Sequence, residues 1–589
     1  MSTDGSPREA HGEFPPSALR QYALLADGER GALCGPHGEI VWMCAPRWHD
    51  DAIFSTLIGG RGAYAVVPTQ RCVWGGHYEP GTLIWRNRWV TEDNTIIECR
   101  DALAMPSGPR HLVLLRRVEA IDGAARVQVL LDPRAAFGRE PMRELRRVDQ
   151  HIWTARSGPL YLRWRGVDDA KVDGDGRLTG TLSVPEGGRH DLILEVSELQ
   201  LAREPVHPSR AWETTERAWA EDVPEFASSV APRDTRHAYA VMRGLTSSGG
   251  GMVAAATMSL PERADHDRNY DYRYVWIRDQ CYAGVAVAAD GPHRLLHDAV
   301  RFVSERLLAD GDQLKPAYRV NGSAVPDQRR LDLAGYPGAI DILGNHVNAQ
   351  FQLDSLGESL TLFAAAARHD ALDRDSCKAA RVAVDAIERR WGEPDAGIWE
   401  LDDDWWTHSR LACVAGLNQL AGVAPRKDAT RFRELAKALL AETGRRCVHP
   451  DGYWQRSPAD ERVDAALLLP PVRGALPAGD PRTVATLDAV RRDLVDDGYV
   501  YRYAPAGHPL GEAEGAFLLC GFFLALGELQ QGRPVDAFRW FERNRAACGP
   551  PGLLSEEFDV EQRQLRGNLP QAFVHALLLE TSIRLAGAQ

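Results

Sequence analysis

The chain has 589 residues, 44% of them hydrophobic and 26% charged, which is typical of a globular protein too long for one compact core. Its formal net charge of -13 argues against a nucleic-acid backbone as partner and favours neutral or cationic small molecules. No run of about 18 apolar residues could form a membrane-spanning helix. The 10 cysteines show no zinc-like spacing, so we expect free, buried thiols in a reducing compartment.

Residues 1–20 are polar, contain Pro15 and Pro16, and are predicted to be disordered. They lack the basic start and the apolar stretch of a signal peptide. We therefore expect a cytoplasmic protein, whose substrate is made inside the cell or imported.

Residues 21–205 are predicted to form an antiparallel β-sandwich. Segments such as 83–90 and 126–131 alternate in part between apolar and polar residues and are rich in β-branched or aromatic side chains. Turn-rich segments such as 59–62 and 173–176 separate them. Many short strands with frequent turns indicate two packed antiparallel sheets.

The periodicity becomes helical after the sandwich. Ser209 is predicted to cap a helix in a linker region, residues 206–231. From residue 232 to residue 589, apolar residues recur at three- and four-residue steps, which predicts roughly ten to twelve helices packed in nested pairs. The unusual residues lie in the loops, as expected for a helical scaffold with its chemistry at one end.

Three motifs in the helical half favour sugar chemistry. The strip 268–279 combines aromatic faces, which stack on sugar C–H surfaces, with arginine and aspartate groups that bind hydroxyls in pairs. Glu400 ends the motif Gly-Ile-Trp-Glu, and Glu556 follows Leu-Leu-Ser. Two carboxyl groups beside such a strip indicate glycoside hydrolysis, in which one protonates the leaving oxygen and the other acts as base or nucleophile.

These motifs, in this order, resemble glycoside hydrolase family 15, which contains glucoamylases, glucodextranases and bacterial and archaeal trehalases. The similarity extends over nearly the whole chain, through residues 21–28, 37–48, 254–262, 268–279, 344–345, 350–354, 397–400, 514–520 and 552–573. The resemblance implies an N-terminal antiparallel β-supersandwich, a linker helix and a C-terminal (α/α)6 barrel, residues 232–589, as the catalytic domain. This agrees with the order of strands and helices expected from periodicity.

The resemblance implies an inverting, exo-acting hydrolase that releases glucose from the non-reducing end of trehalose or a short α-gluco-oligosaccharide. Glu400 matches the general acid and Glu556 the general base. The residues expected to bind substrate are Arg278, Asp279, Trp276, Tyr274, Trp399, Tyr336 and Glu557. Water and two carboxyl groups suffice for this reaction, so we expect no cofactor and no metal. A small carbohydrate is the expected partner, without nucleic acid or membrane, and the sequence leaves open whether a homo-oligomer forms.

Several alternatives stay open at this point. Glu557 competes with Glu556 as the base. A glycoside phosphorylase or a non-catalytic sugar-binding protein of the same architecture is the alternative function, although related phosphorylases lack the second carboxylate. Asp341 and the acidic run 402–404 depart from the family pattern and lead to the hypothesis of a leaving-group site that prefers a basic or amino sugar.

Overall fold

The computed structural model describes residues 14–264, 268–505, 508–512 and 514–588. Its N-terminal part contains two antiparallel sheets of eight strands each. The strands are β1 Ala23–Ala26, β2 Gly31–Cys34, β3 Glu39–Cys44, β4 Ala52–Phe54, β5 Ala63–Pro68, β6 Cys72–Tyr78, β7 Trp85–Thr91, β8 Ile96–Leu103, β9 His111–Asp122, β10 Ala125–Asp132, β11 Arg143–Arg147, β12 Ile152–Ser157, β13 Leu160–Arg165, β14 Lys171–Val172, β15 Leu178–Val184 and β16 Arg189–Ser197.

The two sheets pack face to face, and strand β1 of the first sheet is buried on both of its faces. The first sheet has the order β1-β2-β3-β5-β10-β15-β14 with β4 beside β3, and the second has the order β11-β12-β13-β16-β9-β8-β7-β6. In β1, Ala23 and Leu25 join the core between the sheets, whereas Leu24 and Ala26 join the core shared with the helices. Burial on both faces explains why β1 is apolar throughout rather than alternating.

A linker helix, α1 Pro208–Asp222, connects the sandwich to twelve further helices in the described part of the chain. Helix α1 begins at Pro208, a residue favoured at the first helical position, so the predicted cap Ser209 lies inside the first turn. The other helices are α2 Pro232–Leu245, α3 Ile277–Ala288, α4 Arg294–Asp310, α5 Asp354–Ala367, α6 Arg374–Arg390, α7 Thr407–Val423, α8 Arg426–Arg446, α9 Leu469–Val472, α10 Pro481–Asp493, α11 Leu518–Gln530, α12 Pro534–Arg545 and α13 Ala572–Ala586.

These helices form an (α/α)6 barrel. The odd-numbered helices α3 to α13 contact one another in a closed inner ring, and the even-numbered helices α2 to α12 lie outside them. Inner helices such as α7 and α11 are buried along most of their length, whereas outer helices such as α6 and α8 alternate buried apolar residues with exposed charges. The predicted fold, a sandwich, a linker helix and a barrel, is confirmed.

Short strands and loops cover the N-terminal ends of the inner helices. The short strands are β17 Val275–Trp276, β18 Ala317–Tyr318, β19 Arg329–Arg330, β20 Ile342–Leu343, β21 Val495–Asp496, β22 Tyr499–Val500, β23 Ala516–Phe517, β24 Glu557–Asp559 and β25 Gln564–Arg566. The strip 268–279 leads into α3, the Glu400 loop into α7, β23 into α11 and the Glu556 loop into α13. The three motifs singled out from the sequence therefore lie at one end of the barrel.

Arg273 joins the sandwich to this end of the barrel. Its guanidinium is fully buried and donates to both oxygens of Asp271, at 2.9 and 2.8 Å, and to the backbone oxygen of Asp50 in the sandwich, at 2.8 Å. Asp271 in turn accepts from the backbone N–H of Gly344 at 3.0 Å. The strip before α3 is thus held by the β-domain as well as by the barrel.

The predicted disorder of residues 1–20 falls largely outside the described residues, and Leu19 is buried in the core shared with the helices. All ten cysteines are free thiols, and seven of them are buried. Within the described ranges, no helix combines the length and the apolar character needed to cross a membrane.

Candidate active site

A cavity of about 130 Å³ opens at the N-terminal ends of the inner helices. It lies where the strip before α3, the Glu400 loop and the Glu556 loop converge. Six residues of the predicted site line it together, and they are Trp276, Arg278, Asp279, Trp399, Glu400 and Glu556.

Glu400 is held at the cavity wall by its backbone and by one hydrogen bond. Its φ of 55° lies in the left-handed region, which is unfavourable for a residue other than glycine and is found mostly where surrounding structure enforces it. Trp276 Nε1 donates to Glu400 Oε1 at 2.6 Å, and an Arg278 guanidinium nitrogen lies 3.6 Å from the same oxygen. Both contacts engage Oε1, so Oε2 is the oxygen left to face a ligand.

The loop that carries Glu400 is anchored by a buried ion pair. Asp395 and Arg410 are both fully buried and form a close salt bridge. Asp395 Oδ1 also accepts from the backbone N–H of Gly397 at 2.9 Å and from Ser409 Oγ at 2.8 Å. One carboxylate therefore ties the start of the loop to the first turn of α7, and this fixes the position of Glu400.

Glu556 faces the cavity from the loop before α13. It is 8% exposed, and its Oε2 accepts a hydrogen bond of 3.0 Å from the Tyr272 hydroxyl. Tyr270 stacks on Tyr272 with nearly parallel rings whose centroids are 6.1 Å apart. Burial, reinforced by the negative charge of Glu262, raises the pKa of Glu556 to about 8. This carboxyl therefore gains and loses its proton close to neutral pH.

Arg278 and Asp279 form a buried pair that lines the same cavity as the two glutamates. An Arg278 nitrogen lies 3.4 Å from Asp279 Oδ2, and Arg278 donates to the backbone oxygen of Ile398 at 3.0 Å. Burial raises the pKa of Asp279 to about 6. Asp279 Oδ2 and Arg278 Nε have no hydrogen-bond partner among the described protein groups. A buried carboxylate and guanidinium that each have an atom without a hydrogen-bond partner are suited to binding hydroxyl groups.

Trp399 supplies an aromatic wall beside Glu400. Its Nε1 donates to both oxygens of Asp464 at 3.0 Å, and its ring meets Phe517 edge-on at 5.4 Å between centroids. The indole is therefore fixed from two sides, and its polar atom is engaged by Asp464.

Three residues expected to bind substrate do not line this cavity. Tyr274 is fully buried and donates to Asp271 Oδ2 at 3.1 Å, and Tyr336 donates to the backbone oxygen of Ser17 at 3.0 Å. Glu557 is fully buried and accepts from the backbone N–H of Gly515 at 2.7 Å. Glu557 is the first residue of β24 and does not line the cavity, whereas Glu556, immediately before the strand, does.

Several lining residues were not among the predicted site residues. Tyr272 and Arg268 belong to the strip 268–279, so their aromatic and basic character was a usable signal. Arg502 lies between two tyrosines, a pattern of the same kind. Apolar or singly placed residues carried no such signal, and these include Ala254, Leu401, Phe517, Gln571 and Phe573.

The acidic leaving-group hypothesis has no support in the cavity wall. Asp341 is buried, and its Oδ2 accepts from the backbone N–H groups of Leu331 at 2.7 Å and Leu333 at 3.0 Å. Neither Asp341 nor residues 402–404 line the cavity. Asp341 instead stabilises its own loop.

Comparisons with known proteins are consistent along the whole chain. The family model of glycosyl hydrolases family 15 matches residues 237–583, and a trehalase-like N-terminal model matches residues 10–223. The chain is 28% identical to a trehalase of Mycobacterium tuberculosis, over 98% of this chain and 90% of that protein. It is also 28% identical to a trehalase of Mycolicibacterium smegmatis, over 98% and 92% of the two chains. A bacterial glucoamylase complexed with acarbose has the same fold, with a TM-score of 0.70, 14% identity, and coverage of 98% of this chain and 95% of its own.

Proposed function

The chain belongs to glycosyl hydrolases family 15 and is a glycoside hydrolase, and from this premise we propose that it hydrolyses trehalose by an inverting, exo-acting mechanism. The names of the two mycobacterial relatives, both trehalases that match nearly the whole chain, support trehalose as the substrate. The observation that carries the proposal is that Glu400, Glu556 and the Arg278–Asp279 pair line one cavity.

Glu400 is the proposed general acid. Its Oε1 already accepts the Trp276 hydrogen bond, so the acidic proton is on Oε2. Glu400 gives this proton to the glycosidic oxygen as the bond between that oxygen and the anomeric carbon breaks. The Trp276 bond then stabilises the carboxylate that remains, because hydrogen bonds to ionised groups are the stronger ones.

Glu556 is the proposed general base. Its Oε2 accepts from Tyr272, which leaves Oε1 to accept a proton from a water molecule. The water attacks the anomeric carbon on the face opposite the leaving group, so the released glucose has inverted configuration. Inverting enzymes hold their two carboxyl groups about 6.5–9.5 Å apart to accommodate this water. The Tyr272 bond favours the ionised form of Glu556 and so keeps it available as a base.

The Arg278–Asp279 pair is proposed to hold hydroxyls of the non-reducing-end glucose. Asp279 Oδ2 and Arg278 Nε lack hydrogen-bond partners among the described protein groups. They suit a ligand that offers donors and acceptors side by side, as neighbouring sugar hydroxyls do. The Trp399 ring gives an apolar surface for the sugar C–H groups. Both contacts involve parts of the sugar that do not react, so they orient the substrate for the two glutamates.

The stereochemistry of the products tests the mechanism directly. Trehalose joins two glucose units through their α-anomeric carbons, so inversion at one of them yields one β-glucose and one α-glucose. Early time points by proton NMR should show equal amounts of the two anomers, whereas retention would give α-glucose alone. Trehalose, maltose, isomaltose and maltotetraose should be assayed in parallel without phosphate, and trehalose should be cleaved fastest.

Glu400→Gln and Glu556→Gln should each lower kcat on trehalose by several orders of magnitude while the protein stays folded. Glu434→Gln, on the exposed face of the outer helix α8, is the matched control and should retain activity. Full activity of either site variant would refute its role. Faster cleavage of maltotetraose than of trehalose would assign the enzyme to gluco-oligosaccharides, and turnover that requires phosphate would assign it to phosphorolysis.

A further inference from the structure

A group of charged side chains lies next to Glu556, and part of it lines the same cavity. It contains three glutamates, Glu262, Glu514 and Glu557, and two arginines, Arg268 and Arg502, and we call it the carboxyl cluster. The glutamates are at most 4% exposed, so bulk water does little to screen them. The mechanism above uses none of these side chains.

Two of the three glutamates have a clear cationic partner. Arg502 donates to both oxygens of Glu514 at 2.6 to 3.0 Å, and Arg268 adds a bond of 3.0 Å to Glu514 Oε2. Arg268 Nε also lies 3.1 Å from Glu262 Oε2, without the alignment of a hydrogen bond. Glu514 is therefore fully paired, and Glu262 shares one arginine with it.

Among the described residues, Glu557 has no such partner. Its Oε2 accepts from the backbone N–H of Gly515 at 2.7 Å, but its Oε1 is buried without a donor among the described protein groups. Burial raises the pKa of Glu262 and a hydrogen bond with the Glu557 side chain lowers it, so the two carboxyl groups are neighbours within the carboxyl cluster. Two ionised carboxylates cannot form that bond, because neither has a proton to donate, and their repulsion in a buried site is costly.

We propose that Glu262 and Glu557 share one proton and that this pair acts as a positioning device that keeps the neighbouring Glu556 able to ionise. The inference rests on the proposed role of Glu556 as the base. Among the described residues of the cluster, three carboxylates carry three negative charges and two guanidiniums carry two positive charges. One proton makes the cluster neutral, whereas its loss leaves a net negative charge that opposes the ionisation of Glu556.

The direction of the pKa shifts agrees with this charge count. Burial, followed by the charge of Glu262, raises the pKa of Glu557 well above its usual value, and burial likewise raises the pKa of Glu262. Two such carboxyls titrate as a pair, so the proton belongs to both.

Other titratable groups interact with Glu556 and Glu557, and those that a given variant does not replace are left unchanged in that variant. The groups that face Glu556 are Glu262, Tyr272, Tyr270, Arg502, Asp279 and Cys520. The groups that face Glu557 are Glu262, Glu514, Arg268, Arg502 and Tyr501.

The test compares isosteric Glu→Gln substitutions by the pH dependence of kcat/KM on trehalose. Glu556 must be ionised to act, so its titration sets the acid limb of the profile. Glu514→Gln removes a negative charge from a neutral cluster and should move the acid limb to lower pH by about 1 unit. Glu557→Gln and Glu262→Gln each replace one carboxyl of a pair that carries a single negative charge, and the remaining carboxyl then carries that charge. The cluster therefore stays neutral, and the midpoint of the acid limb should stay in place.

The double variant distinguishes this model from a purely structural role. Glu262→Gln/Glu557→Gln removes the pair's remaining negative charge, so its acid limb should move down as in Glu514→Gln although neither single substitution moves it. If Glu557→Gln alone shifts the limb as far as Glu514→Gln, the shared proton does not exist. If the double variant leaves the limb in place, the pair does not influence Glu556.

A direct spectroscopic measurement does not depend on activity. The infrared difference spectrum between the unsubstituted protein and Glu557→Gln at pH 7 should contain the C=O stretch of a protonated carboxyl. Its absence would overturn the proposal, and chemical denaturation of each variant checks that the fold is retained. If the unsubstituted protein cleaves none of the sugars, the proposed function fails, whereas the infrared result still decides whether the proton is shared.

Discussion

Replacing Tyr272 by Phe should shift the acid limb of the activity profile to higher pH. The substitution removes the hydroxyl that donates to Glu556 Oε2 at 3.0 Å and keeps the ring. A hydrogen bond to a charged group contributes about 1.5–3 kcal/mol, and one pKa unit corresponds to about 1.36 kcal/mol. Because the lost bond favours the ionised form, the pKa of Glu556, already raised to about 8, should rise by a further 1 to 2 units or so.

The assay is kcat/KM on trehalose from pH 5 to pH 10, with glucose release as the readout. Tyr270→Phe is the matched control, because Tyr270 lines the same cavity and stacks on Tyr272 but donates no hydrogen bond to Glu556. Its profile should keep the midpoint of the unsubstituted enzyme. Equal shifts in both variants, or none in Tyr272→Phe, would refute the role assigned to the hydroxyl.

Three further predictions follow from single contacts. Trp276→Phe removes the 2.6 Å bond to the proposed acid and should lower kcat/KM by about 10- to 100-fold, whereas Trp399→Phe, which loses a bond to a different carboxylate, should lower it less. Asp395→Asn weakens the buried ion pair with Arg410 and should reduce the free energy of unfolding by about 3 kcal/mol in guanidinium, and an unchanged midpoint would contradict the anchoring role. Burial lowers the pKa of His575 to about 3, so the folded protein keeps this ring neutral while the unfolded chain takes up a proton below about pH 6.5. The stability contributed by His575 is complete above that pH and should fall by about 2 kcal/mol between pH 7 and pH 5, and His575→Gln should remove that part of the pH dependence, measured by denaturation at both pH values.

The order of strands and helices could be predicted because period-two and period-3.6 patterns each belong to one kind of element. The helix start at Pro208 could not be placed to the residue, since Ser209 and Pro208 both mark helix beginnings. Local periodicity also could not predict which helices form the inner ring, because that depends on how the ring of helices closes.

In the candidate site, the motifs around Glu400 and Glu556 predict that both glutamates belong to one site, and both line the cavity. The choice between Glu556 and Glu557 as the residue facing the cavity needed the register of β24, a three-residue strand whose orientation depends on its pairing with β23 and β25. Tyr274 shares the aromatic character of Tyr272 but is turned to Asp271 by a hydrogen bond. Sequence pattern shows which side chains are available, and tertiary pairing decides which of them reach the cavity.

The role of Arg273 has a consequence for how such enzymes can be recombined. Its fully buried guanidinium donates hydrogen bonds to backbone oxygens of the sandwich, including that of Asp50. A gene fragment encoding only the helical half would leave this cation without those acceptors beneath the strip that leads to Arg278. The two halves are therefore not interchangeable modules. Chimaeras between relatives should work when both halves come from one parent, or when the arginine and the sandwich loop that receives it are exchanged together.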